Sequence, residues 1–233
     1  MSLIFSTRTH GIQGFALLLC LTATPCMAPA DVIIGNLPLS GSWVGMSIAN
    51  HPQGWKYEQA QGFTMGDTPF QLISVTLNLT LGGWGIPAFP PIADLYSDDD
   101  GFMGAHLTSL EPVLKPCFPC RIDEEDYLFL PRIPVVLQPQ QTYWLLASVH
   151  DAGFYYWNAS RPDQIPVGAF ATAMPLQWTF FRGFWETHES LFGTQIHSGY
   201  AVNGTRLPEP RTVFLLAAGL SLCSLLPLRR SSR

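Results

Sequence analysis

Val75-Thr76-Leu77-Asn78-Leu79-Thr80-Leu81 alternates apolar and polar residues without a break. In an extended chain successive side chains point to opposite faces, so Val75, Leu77, Leu79 and Leu81 share one side. Seven such residues predict a strand with one buried and one solvated face. Thr142 to Val149 (TYWLLASV) is β-branched and aromatic, the composition of a more deeply buried strand. Shorter candidates are Gln59 to Met65, Ile92 to Ser97, Ile133 to Leu137, Phe154 to Asn158 and Gln177 to Arg182. Gly, Pro and Asp punctuate these runs, and no long amphipathic helical pattern occurs between them. The expected fold is all-β, a jelly-roll-like β-sandwich. Gly82 to Pro91 and the stretch Leu110 to Arg132, with four prolines and the acidic run Asp123 to Asp126, read as exposed connections.

Both ends of the 233-residue chain read as processing segments. Arg8 precedes the apolar run Gly14 to Leu21, and Ala28 and Ala30 form an A-x-A cleavage site, the layout of a secretory signal peptide. This divides the chain into a signal peptide (1–30), a β-sandwich domain (31–205) and a C-terminal segment (206–233). That last segment carries Pro208-Glu209-Pro210, the uncharged run Val213 to Leu226, and then Arg229, Arg230 and Arg233. As a helix the run reaches ~21 Å, against a hydrocarbon core of about 30 Å. Residues 212–228 are therefore expected to form a single short apolar helix that tethers the chain to the membrane transiently. The arginines stay cytoplasmic by the positive-inside rule.

Residues 31–210 hold all 17 acidic side chains against 7 basic ones, a formal charge of −10. That charge argues against nucleic acid as a partner. Cys20 and Cys26 leave with the signal peptide and Cys223 lies in the apolar run, which leaves Cys117 and Cys120 in the body. In an exported chain this pair reads as one disulfide clipping a tight loop. A redox dithiol, free thiols and a metal site are the alternatives to it. The flanking Pro116 and Pro119 count against a helix-borne dithiol, and no second Cys pair completes a zinc site.

Asp98-Asp99-Asp100-Gly101 reads as a turn, with a weak calcium site as the second reading. Three consecutive aspartates do not follow the alternating ligand spacing of an EF-hand loop. Neither a G-x-S-x-G elbow nor an H-E-x-x-H motif occurs. No catalytic residues and no cofactor are expected, so the chain is read as non-enzymatic. All seven tryptophans lie in the body. Trp84 in its Gly/Pro loop, with Trp178 and Trp185, are the candidates for stacking on sugar rings; core packing is the alternative.

Several stretches resemble an exported bacterial β-sandwich family, the choice-of-anchor R domains. Ala60-Gln61-Gly62-Phe63-Thr64-Met65-Gly66 is similar to the family's AQxFTTG stretch, and Leu72 to Leu77 to the LxSVTL strand that follows it. Leu95 to Gly104 is similar to LYSDxxGxPG, with Met103 in place of proline, and Leu137 to Leu145 to LxxxTTYWL. The order Pro208-Glu209-Pro210, apolar run, arginines resembles the PEP-CTERM sorting signal. The resemblance implies recognition by an exosortase, a membrane-embedded processing enzyme of Gram-negative bacteria that make exopolysaccharide. It also implies export through the inner membrane, and a mature protein at the cell surface or in the extracellular matrix, associated with exopolysaccharide or biofilm. A carbohydrate-binding module using exposed tryptophans is the second reading, and an extracytoplasmic enzyme the third.

Overall fold

The computed structural model describes residues 29–51, 54–82, 90–113, 125–150, 153–181, 183–187, 189 and 196–208. Among them are thirteen strands: β1 (Asp31–Gly35), β2 (Ser42–Asn50), β3 (Lys56–Met65), β4 (Phe70–Leu81), β5 (Ile92–Asp99), β6 (Phe102–Pro112), β7 (Glu125–Pro131), β8 (Val136–Leu137), β9 (Thr142–Ser148), β10 (Phe154–Arg161), β11 (Ala171–Phe181), β12 (Phe184–Thr187) and β13 (Tyr200–Arg206). Every pairing between strands is antiparallel. The all-β expectation is thus met by one large antiparallel sheet of sandwich-like form. No helix among the described residues is long and apolar enough to cross a membrane. The N-terminal signal and the C-terminal apolar run lie outside the described residues.

The order β1-β13-β4-β10-β2-β3-β9-β5-β6-β7 bends back on itself, because β7 also pairs with β4. Two pairs of residues, Ala49↔Tyr57 and Asn50↔Lys56, join β2 to β3. Val75, Leu77 and Leu79 of β4 share one hydrophobic cluster with Phe63 of β3, Leu95 of β5 and Leu145 of β9. Burying each such side chain stabilises the fold by ~1.5–3 kcal/mol.

The opening heptapeptide lies inside β4, and its apolar face is core: Val75, Leu77 and Leu79 are at most 1% exposed. Its polar face is not solvated as the alternation predicts. Asn78 and Thr80 are buried, because Asn158 Nδ2 donates to Asn78 Oδ1 at 2.8 Å and to Thr80 Oγ1 at 2.9 Å. Asn78 Nδ2 in turn donates to Asp126 Oδ1 at 2.8 Å. Polar residues alternating with leucine therefore mark a second buried layer held by side-chain hydrogen bonds. Asp126, read from sequence as part of a solvated loop, is exposed as expected but belongs to strand β7, from which its carboxylate caps this layer.

Registers decide which connections share an end of the sheet. β4 starts at Phe70, opposite Arg206 of β13, and finishes at Leu81, opposite Tyr155 of β10. Its 12 residues span roughly 35 Å. At the Leu81 end lie Phe154↔Ala49, Asn50↔Lys56, Phe180↔Glu58, Ile92↔Ser148 and Leu79↔Glu125. The connections β2–β3, β4–β5, β6–β7, β9–β10 and β11–β12 leave from there. The Phe70 end carries the β5–β6 turn, the start of β1 and the finish of β13.

Candidate functional site

The two segments read as processing sites flank a pair of hydrogen-bonded strands. β1 and β13 are antiparallel, with Asp31 opposite Gly204 and Gly35 opposite Ala201. β13 lies between β1 and β4, and Tyr200 and Val202 are fully buried. The last ties among the described residues are the bond from Leu207 N to Pro69 O at 3.1 Å and that from Arg206 Nη2 to Thr68 Oγ1 at 3.4 Å. Ala30 and Pro208 are exposed and leave the sheet at the same end. Pro208 has no N–H to extend the ladder and biases Leu207 towards extended backbone. Ala28, Glu209, Pro210, Arg229, Arg230 and Arg233 lie outside the described residues.

The three aspartates sit at the β5–β6 turn. Asp99↔Phe102 is the closing pair, and Asp100 (φ 53°) with Gly101 (φ 84°) form the turn, the Asp-Gly hairpin that matches strand twist. Asp98 spends both carboxylate oxygens inside the protein. Oδ2 accepts from Gly101 N at 3.1 Å and Oδ1 from Trp144 Nε1 at 2.7 Å. Asp99 and Asp100 point outward and are exposed. No three His, Cys, Asp or Glu side chains among the described residues converge as a metal-binding group.

Trp178 and Trp185 stand over this turn. Trp178 Nε1 donates to Gly101 O at 3.2 Å. Phe102 meets Trp178 at 88° and Trp185 at 71°, with ring centroids 5.1 and 5.8 Å apart. Both tryptophans are half-buried against a small cluster of Ala60, Trp144 and Leu146. Phe102 thus meets both indoles edge-on, a favourable packing for aromatic pairs. Trp84, Cys117 and Cys120 lie outside the described residues.

His106 Nε2 faces Asp94 Oδ1 at 3.1 Å and Ser109 Oγ at 3.4 Å. A Ser–His–Asp relay needs one ring nitrogen for each partner, and here a single nitrogen serves both. His197 Nδ1 lies 2.8 Å from Asp163 Oδ2, and its backbone N donates to Asp163 Oδ1 at 2.8 Å. This pair pins the segment before β13 to the β10–β11 connection. An open groove of about 380 Å³ is lined by Ser97, Leu107, Val135, Gln138, Gln141 and Tyr143 among others. Its titratable group is Tyr143, whose hydroxyl accepts from Gln138 N at 2.7 Å. Burial holds that phenol above its ordinary pKa.

Sequence reasoning passed over two aromatic residues that the fold leaves outside. Trp55 is 59% and Phe184 69% exposed. Each follows a glycine with positive φ, Gly54 (89°) and Gly183 (91°). The Gly-aromatic step does not by itself find them, because Gly101-Phe102 is the same step at a hairpin and Phe102 packs against Trp178 and Trp185. No protein-family model, curated protein or solved structure matches this chain.

Proposed function

We propose that this chain is an exported, non-enzymatic surface or matrix protein, a choice-of-anchor R-like jelly-roll-like sandwich delivered through a PEP-CTERM signal. An exosortase cuts near Pro208-Glu209-Pro210, and the body then associates with exopolysaccharide or biofilm. One observation carries the reading: the last strand among the described residues ends at Arg206, two residues before the tripeptide begins. Cleavage at the motif leaves every strand of the described residues intact. The same holds at the other end, where β1 begins one residue after Ala30.

The test is the intact mass of the protein recovered from cells with and without an active exosortase. The expected mature product starts near Asp31 and lacks Arg229-Arg230 only where exosortase is active. A product that keeps those arginines in the presence of active exosortase sinks the sorting reading.

A further inference from the structure

The end of the sheet opposite both termini carries a second aromatic group, built differently from the one over the β5–β6 turn. His51 N donates to Trp55 O at 2.7 Å, closing the β2–β3 hairpin. The His51 and Trp55 rings lie 5.3 Å apart at 28°. Next to them Tyr57 of β3 and Phe181 of β11 lie 5.0 Å apart at 22°. Phe181 is the cross-strand partner of Phe184. The β3–β11 pairing reaches Glu58↔Phe180 and the Tyr57–Phe181 ring contact carries it one residue further, so the β2–β3 and β11–β12 hairpins leave the same end of the sheet on neighbouring strands. The rings here are nearly parallel in pairs, and more than half of Trp55 and Phe184 is exposed.

We infer that this hairpin-tip cluster, centred on Trp55 and Phe184 and backed by His51, Tyr57 and Phe181, is a contact site for a neutral polysaccharide. Exposed ring faces meet the C–H faces of pyranose rings without needing a pocket, as indole and phenyl rings stack on other flat or apolar partners. The net charge selects among glycans: residues 31–210 carry −10, which repels polyanionic chains and leaves uncharged ones favoured. Position separates a glycan from a lipid surface. Both termini leave from the Phe70 end, so a tethered body presents its Trp55 tip away from the membrane, roughly 35 Å along β4. This last step rests on the sorting reading above; the ring geometry does not.

The test uses the exported protein, cut or uncut, in a pull-down series. The probes are microcrystalline cellulose and cross-linked dextran as neutral glucans, alginate beads as a polyanion, and phosphatidylethanolamine–phosphatidylglycerol vesicles. Retention by a neutral glucan is expected, falling about tenfold in Trp55→Ala and in Phe184→Ala. Ile73→Ser, which removes an apolar side chain exposed elsewhere, should bind as wild type. Circular dichroism confirms that each variant is folded. No retention on either glucan, equal loss with Ile73→Ser, or preferential binding to alginate or vesicles would each overturn the site. Because processing is read by mass and glucan binding by retention, either idea can fail while the other stands.

Discussion

The indole of Trp144 and the carboxylate of Asp98 are joined across neighbouring strands, with Nε1 donating to Oδ1 at 2.7 Å. Trp144 is fully buried, so its N–H has no access to water if the acceptor is lost. Asp98→Ala should cost about 1–3 kcal/mol in urea unfolding, the penalty for stranding a buried donor. Asp98→Asn keeps an acceptor oxygen and should lose less. With both oxygens of Asp98 engaged, calcium should produce no measurable rise in melting temperature over EDTA. A calcium-dependent rise that vanishes in Asp99→Asn/Asp100→Asn would show the turn to be a cation site after all.

The buried phenols set an alkaline limit on stability. Burial raises the pKa of Tyr155, with Tyr127 adding to it, and burial alone raises that of Tyr200, both from the ordinary value of 10.0. In this case the folded state keeps a proton that the unfolded chain releases. Stability is therefore complete below about pH 10 and falls as pH rises above it. Tyr200 Oη finds no hydrogen-bond partner among the described residues. Tyr200→Phe should leave stability at pH 7 unchanged or slightly higher and should flatten the loss above pH 10. Urea midpoints measured from pH 7 to 11 check both halves of the prediction.

Truncations should separate the address from the body. Removing residues 208–233 leaves all thirteen described strands and the Leu207–Pro69 bond in place, so the melting temperature should stay within the error of the measurement. Removing residues 200–233 takes out β13, strips β4 of its partner from Phe70 to Leu77, and exposes the places filled by Tyr200 and Val202. That shorter chain should not fold cooperatively. Near-ultraviolet circular dichroism, which reports fixed aromatic packing, distinguishes the two outcomes.

Gly204 lies where strands approach too closely for a side chain. A Cβ there would sit 2.7 Å from Gln71 O and 2.8 Å from Ile33 Cδ1. Gly204→Ala should cost ~1–3 kcal/mol by pushing β13 off its neighbours. A variant as stable as wild type in urea would mean that β1 and β4 yield at no cost.

The same glycine explains much of what sequence could and could not show. Asn203-Gly204 is a strong turn signal, yet it lies inside β13 at a register shift against β4. β6 reads as broken by Gly104 and Pro112, and β7 vanishes into a stretch dominated by prolines and acids. Its Phe129 is nonetheless fully buried. β9 was legible to within one residue, and β4 was legible from Val75 to its end at Leu81 but not over its first five residues, where the alternation is irregular. Gln177 to Arg182 pointed to β11 but missed its first half, because Ala171 to Met174 alternates too weakly. At the aromatic sites, counting tryptophans could not separate rings half-buried against neighbours, as Trp178 and Trp185 are, from one that stands exposed at a hairpin, as Trp55 does. That difference depends on which hairpins adjoin, and so on registers set by residues far apart in the chain.

β13 runs along the axis that joins the hairpin tips to the C-terminal exit, and this gives the molecule a mechanical direction. Suppose the Trp55 tip is held by a matrix and the chain beyond Arg206 by whatever it is attached to. Tension then runs lengthwise through β13. Seven residue pairs tie that strand to β4 and four tie it to β1. Such a pull loads the bonds side by side, as a shear, and they must yield together. Tension between the two chain ends instead meets the β1–β13 ladder one rung at a time, as a zipper. The body is strong along the line from its outer loops to its C-terminus and weak at its N-terminal strand.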